Sequence, residues 1–150
     1  MTDAQPLRER ILGLDVGDKR IGVAVSDELG ITSAPVCFVA RGPNDRDDFR
    51  ALVSRYGVTR VVAGLPAGLS GREGPQAQDV RTYADALALG LGLPLQYWDE
   101  RFTSAIAERA LIAAGKNRTK RREQIDALAA AVMLQGYLDA QAHRRHRKTT

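Results

Sequence analysis

Ile11-Leu12-Gly13-Leu14-Asp15-Val16-Gly17-Asp18-Lys19-Arg20-Ile21-Gly22-Val23-Ala24-Val25-Ser26-Asp27 is the stretch that decides how this chain is read. Two apolar runs, over residues 11–16 and 20–27, are joined by the turn signal Gly17-Asp18-Lys19, which predicts a pair of strands in a hairpin-like junction. In the second run Ile21, Val23 and Val25 share one face. Gly22, Ala24 and Ser26 share the other, and their small size would let another element pack closely. Asp15 lies inside the first run. A carboxylate there is costly unless something neutralises it. A divalent cation and a cap on the following turn are both open readings.

Working outward, Ser33 to Val39 reads as a third strand. Pro35 suggests that the strand proper begins after it. The three strands are close enough in sequence for an antiparallel meander. The period then changes. Asn44, with Asp47 three residues on, is placed to cap a helix through Phe49, Leu52, Val53 and Tyr56, which Gly57 would terminate. Arg60 to Leu65 is a short strand. Pro75 fits the first position of a helix ending near Gly90. Leu93 to Trp98 is another strand, with Pro94 favouring an edge position or a start just beyond it. Thr103 or Ser104 would cap a helix closed by Gly115, and a last helix is expected from about Lys120 to about Ala142. The order βββαβαβαα predicts an α/β fold: a mixed sheet with helices on its faces.

The 150 residues suit one domain, with a short basic tail at about 141–150. Hydrophobic residues make up 44%, which excludes a disordered chain. The lone Cys37 cannot form an internal disulfide, and a reducing compartment is the expected setting. Met1 to Pro6 contains no apolar signal core, and the longest apolar run, Ala127 to Leu134, is far too short to span a bilayer. These features point to the cytoplasm and away from a membrane.

The formal net charge is +4. Arg144, Arg145, Arg147 and Lys148 account for all of it, so the excess sits in the tail. A second basic cluster, Lys116, Arg118, Lys120, Arg121 and Arg122, precedes the last helix. Such runs suit phosphate backbones, although the tail would equally serve as a solvated extension.

Three acidic positions abut apolar elements: Asp15, the pair Asp99-Glu100 directly after a strand, and Asp126. Ala129, Ala130 and Met133 share the helix face of Asp126. If that helix packs beside the first strand, Asp126 would face Asp15 across a cleft. Clustered carboxylates resist ionising together, and a hard divalent cation removes that penalty. Two such ions about 3.5–4 Å apart can activate water and stabilise the leaving oxygen in phosphodiester hydrolysis. Taken singly, each acid also has a structural role open to it: Asp15 as turn cap, Asp99 or Glu100 as partner of Arg101, Asp126 as a solvated helix residue. Both histidines, His143 and His146, lie in the tail. The chain carries no zinc pattern, no Walker-type loop and no Gly-x-Ser-x-Gly turn.

Four blocks now line up in order. They are Gly13-Leu14-Asp15-Val16-Gly17 with Lys19-Arg20-Ile21-Gly22-Val23-Ala24; Gly64-Leu65-Pro66 with Gly71 and Glu73-Gly74-Pro75; Asp99-Glu100-Arg101-Phe102-Thr103-Ser104 with Ala107-Glu108; and Asp126-Ala127 with Ala129-Ala130, Leu134 and Tyr137-Leu138. Over roughly residues 9–139 the chain resembles the YqgF family, also called RuvX, of the RNase H-like superfamily. The resemblance implies a five-stranded sheet, three antiparallel strands then two parallel ones, flanked by helices. It also implies metal-dependent phosphodiester cleavage with Mg²⁺ or Mn²⁺ as cofactor. The family acids fall on Asp15, which would bridge the metals, and on Glu100 and Asp126, which would hold one ion each. Asp99 is disfavoured because neighbours on a strand point to opposite faces. Related resolvases add a fourth acid near the last, whereas Ala127, Leu128 and Ala129 follow Asp126 here. The loop Ala67-Gly68-Leu69-Ser70 lacks the Asn and the acid expected there.

Lys19, Arg20 and Arg101 are candidates to meet phosphates beside the metals. Their alternative is ion pairing, with Asp18 or Asp27 for the first two and with Asp99 for Arg101. The cluster Lys116 to Arg122 would guide a backbone into the site. The expected partner is nucleic acid, structured RNA or DNA junctions, met by a monomer or homodimer. The resemblance links the family to 5′-end maturation of 16S ribosomal RNA precursors and, by similarity, to Holliday junction resolution. A binding module without catalysis is a separate class. So is an actin-like ATPase, which shares the Asp-x-Gly pattern but needs two such domains.

Overall fold

The computed structural model describes residues 9–66, 74–99 and 118–149, with side chains of the last segment described over 125–144. Five strands, β1 (Ile11–Val16), β2 (Arg20–Ser26), β3 (Ser33–Ala40), β4 (Arg60–Leu65) and β5 (Leu95–Asp99), form one sheet in the order β3-β2-β1-β4-β5. β1, β2 and β3 pair antiparallel, and β4 pairs parallel with both β1 and β5. This is the mixed α/β sheet that the strand pattern predicts, with the three antiparallel strands and two parallel ones that the family resemblance implies. The helices are α1 (Asp45–Tyr56), α2 (Pro75–Leu91) and α3 (Arg118–Thr149). The helix expected between Thr103 and Gly115 lies outside the described residues.

Strand alternation assigns the two faces. Leu12, Leu14, Val16, Ile21, Val23 and Val25 point to one side and bury Phe49 of α1 and Val80, Ala84 and Leu87 of α2. Ile11, Ala24 and Val62 point to the other and pack against Ala130, Met133, Leu134, Tyr137 and Leu138 of α3. Trp98 joins this second cluster and meets the Tyr137 ring edge-on, with centroids 6.1 Å apart. The Tyr137 hydroxyl donates to Gln96.

Local differences from the sequence reading have physical causes. β3 begins at Ser33, before Pro35 rather than after it. It is an edge strand, and a register shift at Val23/Ala24 places Val23 opposite Cys37 and Ala24 opposite Pro35, so the proline is accommodated beside a bulge. Asn44 precedes α1 but makes no capping bond through its side chain. Gly57 closes that helix at φ 64°, a left-handed conformation in which a side chain is strained. β2 stops at Ser26 because Asp27 leaves to build a turn: its Oδ1 accepts from Ile31 N at 2.8 Å and Thr32 N at 3.2 Å. α3 continues seven residues past Ala142, so the basic run at 144–148 prolongs a helix.

Candidate active site

Asp15 is the penultimate residue of β1, a strand flanked on both sides by partners. It has the parity of Ile11 and Gly13, so its side chain lies on the α3 face. Its register partner on β2 is Gly22. A Cβ built on Gly22 would overlap the carbonyl oxygen of Asp126, and one on Gly13 would lie 3.0 Å from Leu134 Cβ. The small face of the hairpin therefore does what its size suggests. It lets the α3 backbone settle on the sheet, and the point of closest approach is the residue that carries the second acid.

The Asp126 side chain is 23% exposed, and Arg20 Nε lies 3.1 Å from its Oδ2. That oxygen is buried, and no donor among the described residues is aligned to hydrogen-bond it. The ion pair is thus close in distance and poor in angle, leaving acceptor capacity unused. Burial pushes the Asp126 carboxyl above its ordinary range; the Arg20 charge pulls it down, and the Asp15 charge pushes it further up. The effect of the Asp15 charge on Asp126 is the electrostatic sign of their convergence.

Arg20 meets neither Asp18 nor Asp27. Besides Asp126, its guanidinium stands 5.4 Å from the centroid of the Phe38 ring, and Phe38 is opposite Gly22 on β3. Lys19 is exposed in the β1–β2 turn, and its carbonyl accepts from Arg41 N. Gly17 N closes the turn on Arg20 O at 2.9 Å.

Nothing in the sequence singles out Arg41. Its Nη1 donates to Gly17 O at 3.0 Å and to Asp79 Oδ2 at 2.9 Å, while Nη2 donates to Asp79 Oδ1 at 3.3 Å. The guanidinium also stands 4.5 Å from the Tyr83 ring centroid, and Tyr83 donates to Asp45 at 2.7 Å. The turn between Asp15 and Arg20 is therefore clamped to α2.

Asp99 ends β5 with the parity of Leu95 and Tyr97, which pack on the α1/α2 side, away from α3. Glu100, Arg101 and Lys116 lie outside the described residues. Arg118, Lys120, Arg121 and Arg122 occupy the first turns of α3, about 6–12 Å along the axis from Asp126. Among the described residues no three His, Cys, Asp or Glu side chains form a metal-binding group. The Asp15–Asp126 pair nonetheless fits a hard cation. It offers carboxylate oxygens, one of them buried without a hydrogen bond, in a place where a second negative charge raises the cost of ionisation. Among the described residues no helix is long and apolar enough to cross a membrane.

Comparison with known proteins agrees with this fold. The family model described as "RuvX: Holliday junction resolvase" matches residues 9–140. A relative from Heliobacterium modesticaldum, named "Putative pre-16S rRNA nuclease", is 46% identical over 136 residues, covering 89% of this chain and 91% of the relative. One of the same name from Symbiobacterium thermophilum is 47% identical over 137 residues, covering 90% and 95%. Among solved structures, T. thermophilus RuvC in complex with a Holliday junction substrate aligns with a TM-score of 0.56 at 15% identity, covering 90% of this chain and 96% of that one. The Fowlpox virus resolvase with Holliday junction DNA aligns with a TM-score of 0.56 at 11% identity, covering 88% and 98%. At such identities the likeness is one of fold. The match across most of the chain, together with relatives near half identity, decides the family: this chain belongs to the RuvX family.

Proposed function

We propose that this chain is a metal-dependent nuclease that hydrolyses phosphodiester bonds in 5′-end maturation of the 16S ribosomal RNA precursor, in the cytoplasm. The observation that carries the reading is the meeting of Asp15 and Asp126 on the α3 face, where a buried Asp126 oxygen lacks a hydrogen bond. Asp15, Asp126 and Glu100 would hold Mg²⁺ or Mn²⁺. The cation would supply Lewis-acid polarisation of the phosphate and offset its developing charge. The chain's own contribution is placement. The β1–β2 turn holds Asp15 and Arg20 at one end of the sheet, and the glycine at position 22 admits the α3 backbone. Lys19, Arg20, Arg101 and the basic first turns of α3 would attract the polyanion.

The family model's description favours a second reading, cleavage of four-way DNA junctions. Incubating the full chain with precursor RNA and with four-way junctions, with Mg²⁺, Mn²⁺ or chelator, separates the two. Metal-dependent cleavage of the RNA is expected, and Asp15→Asn is expected to slow it by about 10²-fold or more. Junction cleavage with the RNA left intact would favour the second reading. Cleavage by Asp15→Asn at the wild-type rate would overturn both. Salt-sensitive RNA binding without cleavage would make the chain a binding module.

A further inference from the structure

Arg20 has two neighbours that make different demands on it. The Asp126 carboxylate is half buried and stands near a second acid, so it requires a positive charge. Arg20 supplies one at 3.1 Å, but the guanidinium is not aligned to hydrogen-bond the buried oxygen. The Arg20 side chain is 42% exposed, which places the pair within reach of solvent screening. On its other side lies the partly exposed Phe38 ring, a surface on which a guanidinium can rest when it is not paired. The pair is therefore loose, and Arg20 has somewhere else to go.

Charge counting says what would release it. Asp15, Asp126 and Arg20 together carry a net charge of −1, so Arg20 is held. With Glu100 as the third ligand of the proposed site that sum is −2; a divalent cation raises it by two, and the net negative charge that held Arg20 is gone. A guanidinium so freed, at the mouth of a site that takes a phosphodiester, has the planar fork that matches a phosphate.

We propose that Arg20 is a resident stand-in cation: it neutralises Asp126 while no metal is bound, yields that place to a divalent ion, and then holds a phosphate of the nucleic acid. Arg20 would thus be a positioning residue whose partner depends on the state of the site. The proposal rests on the reading of Asp15 and Asp126 as metal ligands.

Mn²⁺ binding to the full-length chain, followed by the electron paramagnetic resonance of free Mn²⁺, tests it without turnover. Arg20→Gln is expected to bind Mn²⁺ about 3- to 10-fold more tightly than wild type, because the competing charge is gone. Arg20→Lys, which keeps the charge, should stay near the wild-type value. A purely structural role for Arg20 would weaken metal binding on substitution. In the wild-type chain the Arg20 Nε–H resonance, assigned by its loss in Arg20→Lys, should move during an Mg²⁺ titration and saturate with it. This second measurement does not depend on the Gln variant folding. If wild type binds Mn²⁺ but Arg20→Gln binds it equally or more weakly, or if the resonance stays fixed at saturating Mg²⁺, the stand-in role is overturned and the metal site stands. If wild type binds no Mn²⁺, both fall.

Discussion

The two faces of the sheet are made from alternate residues of the same strands, yet they are packed on opposite principles. Toward α1 and α2 the strands present Leu12, Leu14, Val16, Ile21, Val23 and Val25, and the gap is filled by branched side chains around a fully buried Phe49. Toward α3 the β1–β2 hairpin presents Gly13, Gly22 and Ala24 beside Ile11, and the helix answers with Ala127, Ala130 and Ala131 before the larger Met133, Leu134, Tyr137 and Leu138. The first face maximises apolar area removed from water. The second gives some of that up for proximity: backbone lies on backbone, and the acid on α3 arrives beside the acid on β1. The carboxylates sit on the face with the less adjustable packing. A rigid backbone contact defines position better than interdigitated side chains that can exchange rotamers.

The sharpest break in the comparison is Gly22→Val. Its Cβ would overlap the carbonyl oxygen of Asp126, and backbone atoms cannot step aside as a side chain can. The expected cost is on the order of 5 kcal/mol, at the upper end for a point substitution. Urea unfolding would measure it, and Mn²⁺ should no longer raise the melting temperature of whatever remains folded. A Gly22→Val chain with wild-type stability and a wild-type metal response would show that α3 does not need this approach.

Phe49→Ala is the matching test on the other face. Phe49 is fully buried in the α1/α2 cluster, and its truncation is expected to cost about 3–5 kcal/mol. Here the stability loss should leave the site alone, with the Mn²⁺-induced rise in melting temperature kept. Loss of that response in Phe49→Ala would mean that the two faces are mechanically coupled.

What the sequence made legible follows the same division. The hairpin, the small face on β2 and the apolar surroundings of Asp126 are periodic features, and periodicity survives without knowledge of contacts. It leaves one condition, that the last helix packs beside the first strand, and α3 does pack there. Contacts between distant segments are not periodic. Arg20 has acids near it in the chain, Asp18 and Asp27, but Asp27 is engaged by the backbone of its own turn, and the actual partner comes from α3. Arg41 was invisible because the groups it joins are 24 and 38 residues away. The sequence reading ends the last helix at about Ala142, seven residues short of Thr149. Beyond Leu138 the segment contains no Gly or Pro to stop a helix, and its Arg, Ala and Gln residues favour continuation. Glu100, Arg101 and Lys116 fall outside the described residues, so the third acid remains part of the proposal.

The smallest effect separates the faces by the sign of their response to pH. Asp79, on α2, is held below its usual range chiefly by the hydrogen bond from Arg41. A depressed folded value adds stability above the unfolded pKa and loses it as pH falls through the folded one. Asp126 is raised, chiefly by burial. The native state then takes up that proton more readily than the unfolded chain. Its stability is fullest below the unfolded pKa and declines as pH rises through the folded value, so at neutral pH the metal-free carboxylate is a net cost. With chelator at pH 7, Asp79→Asn should lower the melting temperature by no more than about 2–4 °C, the scale of an exposed ion pair in a chain of this size. Asp126→Asn should raise it slightly. Toward pH 3 the Asp126→Asn curve should merge with wild type, since both then carry a neutral group there. Scanning calorimetry across pH 3–7 checks both slopes, and variants that shift in the same direction at pH 7 would refute the contrast. Adding Mn²⁺ is expected to reverse only the Asp126→Asn result, because wild type then gains a ligand that the amide cannot hold as well.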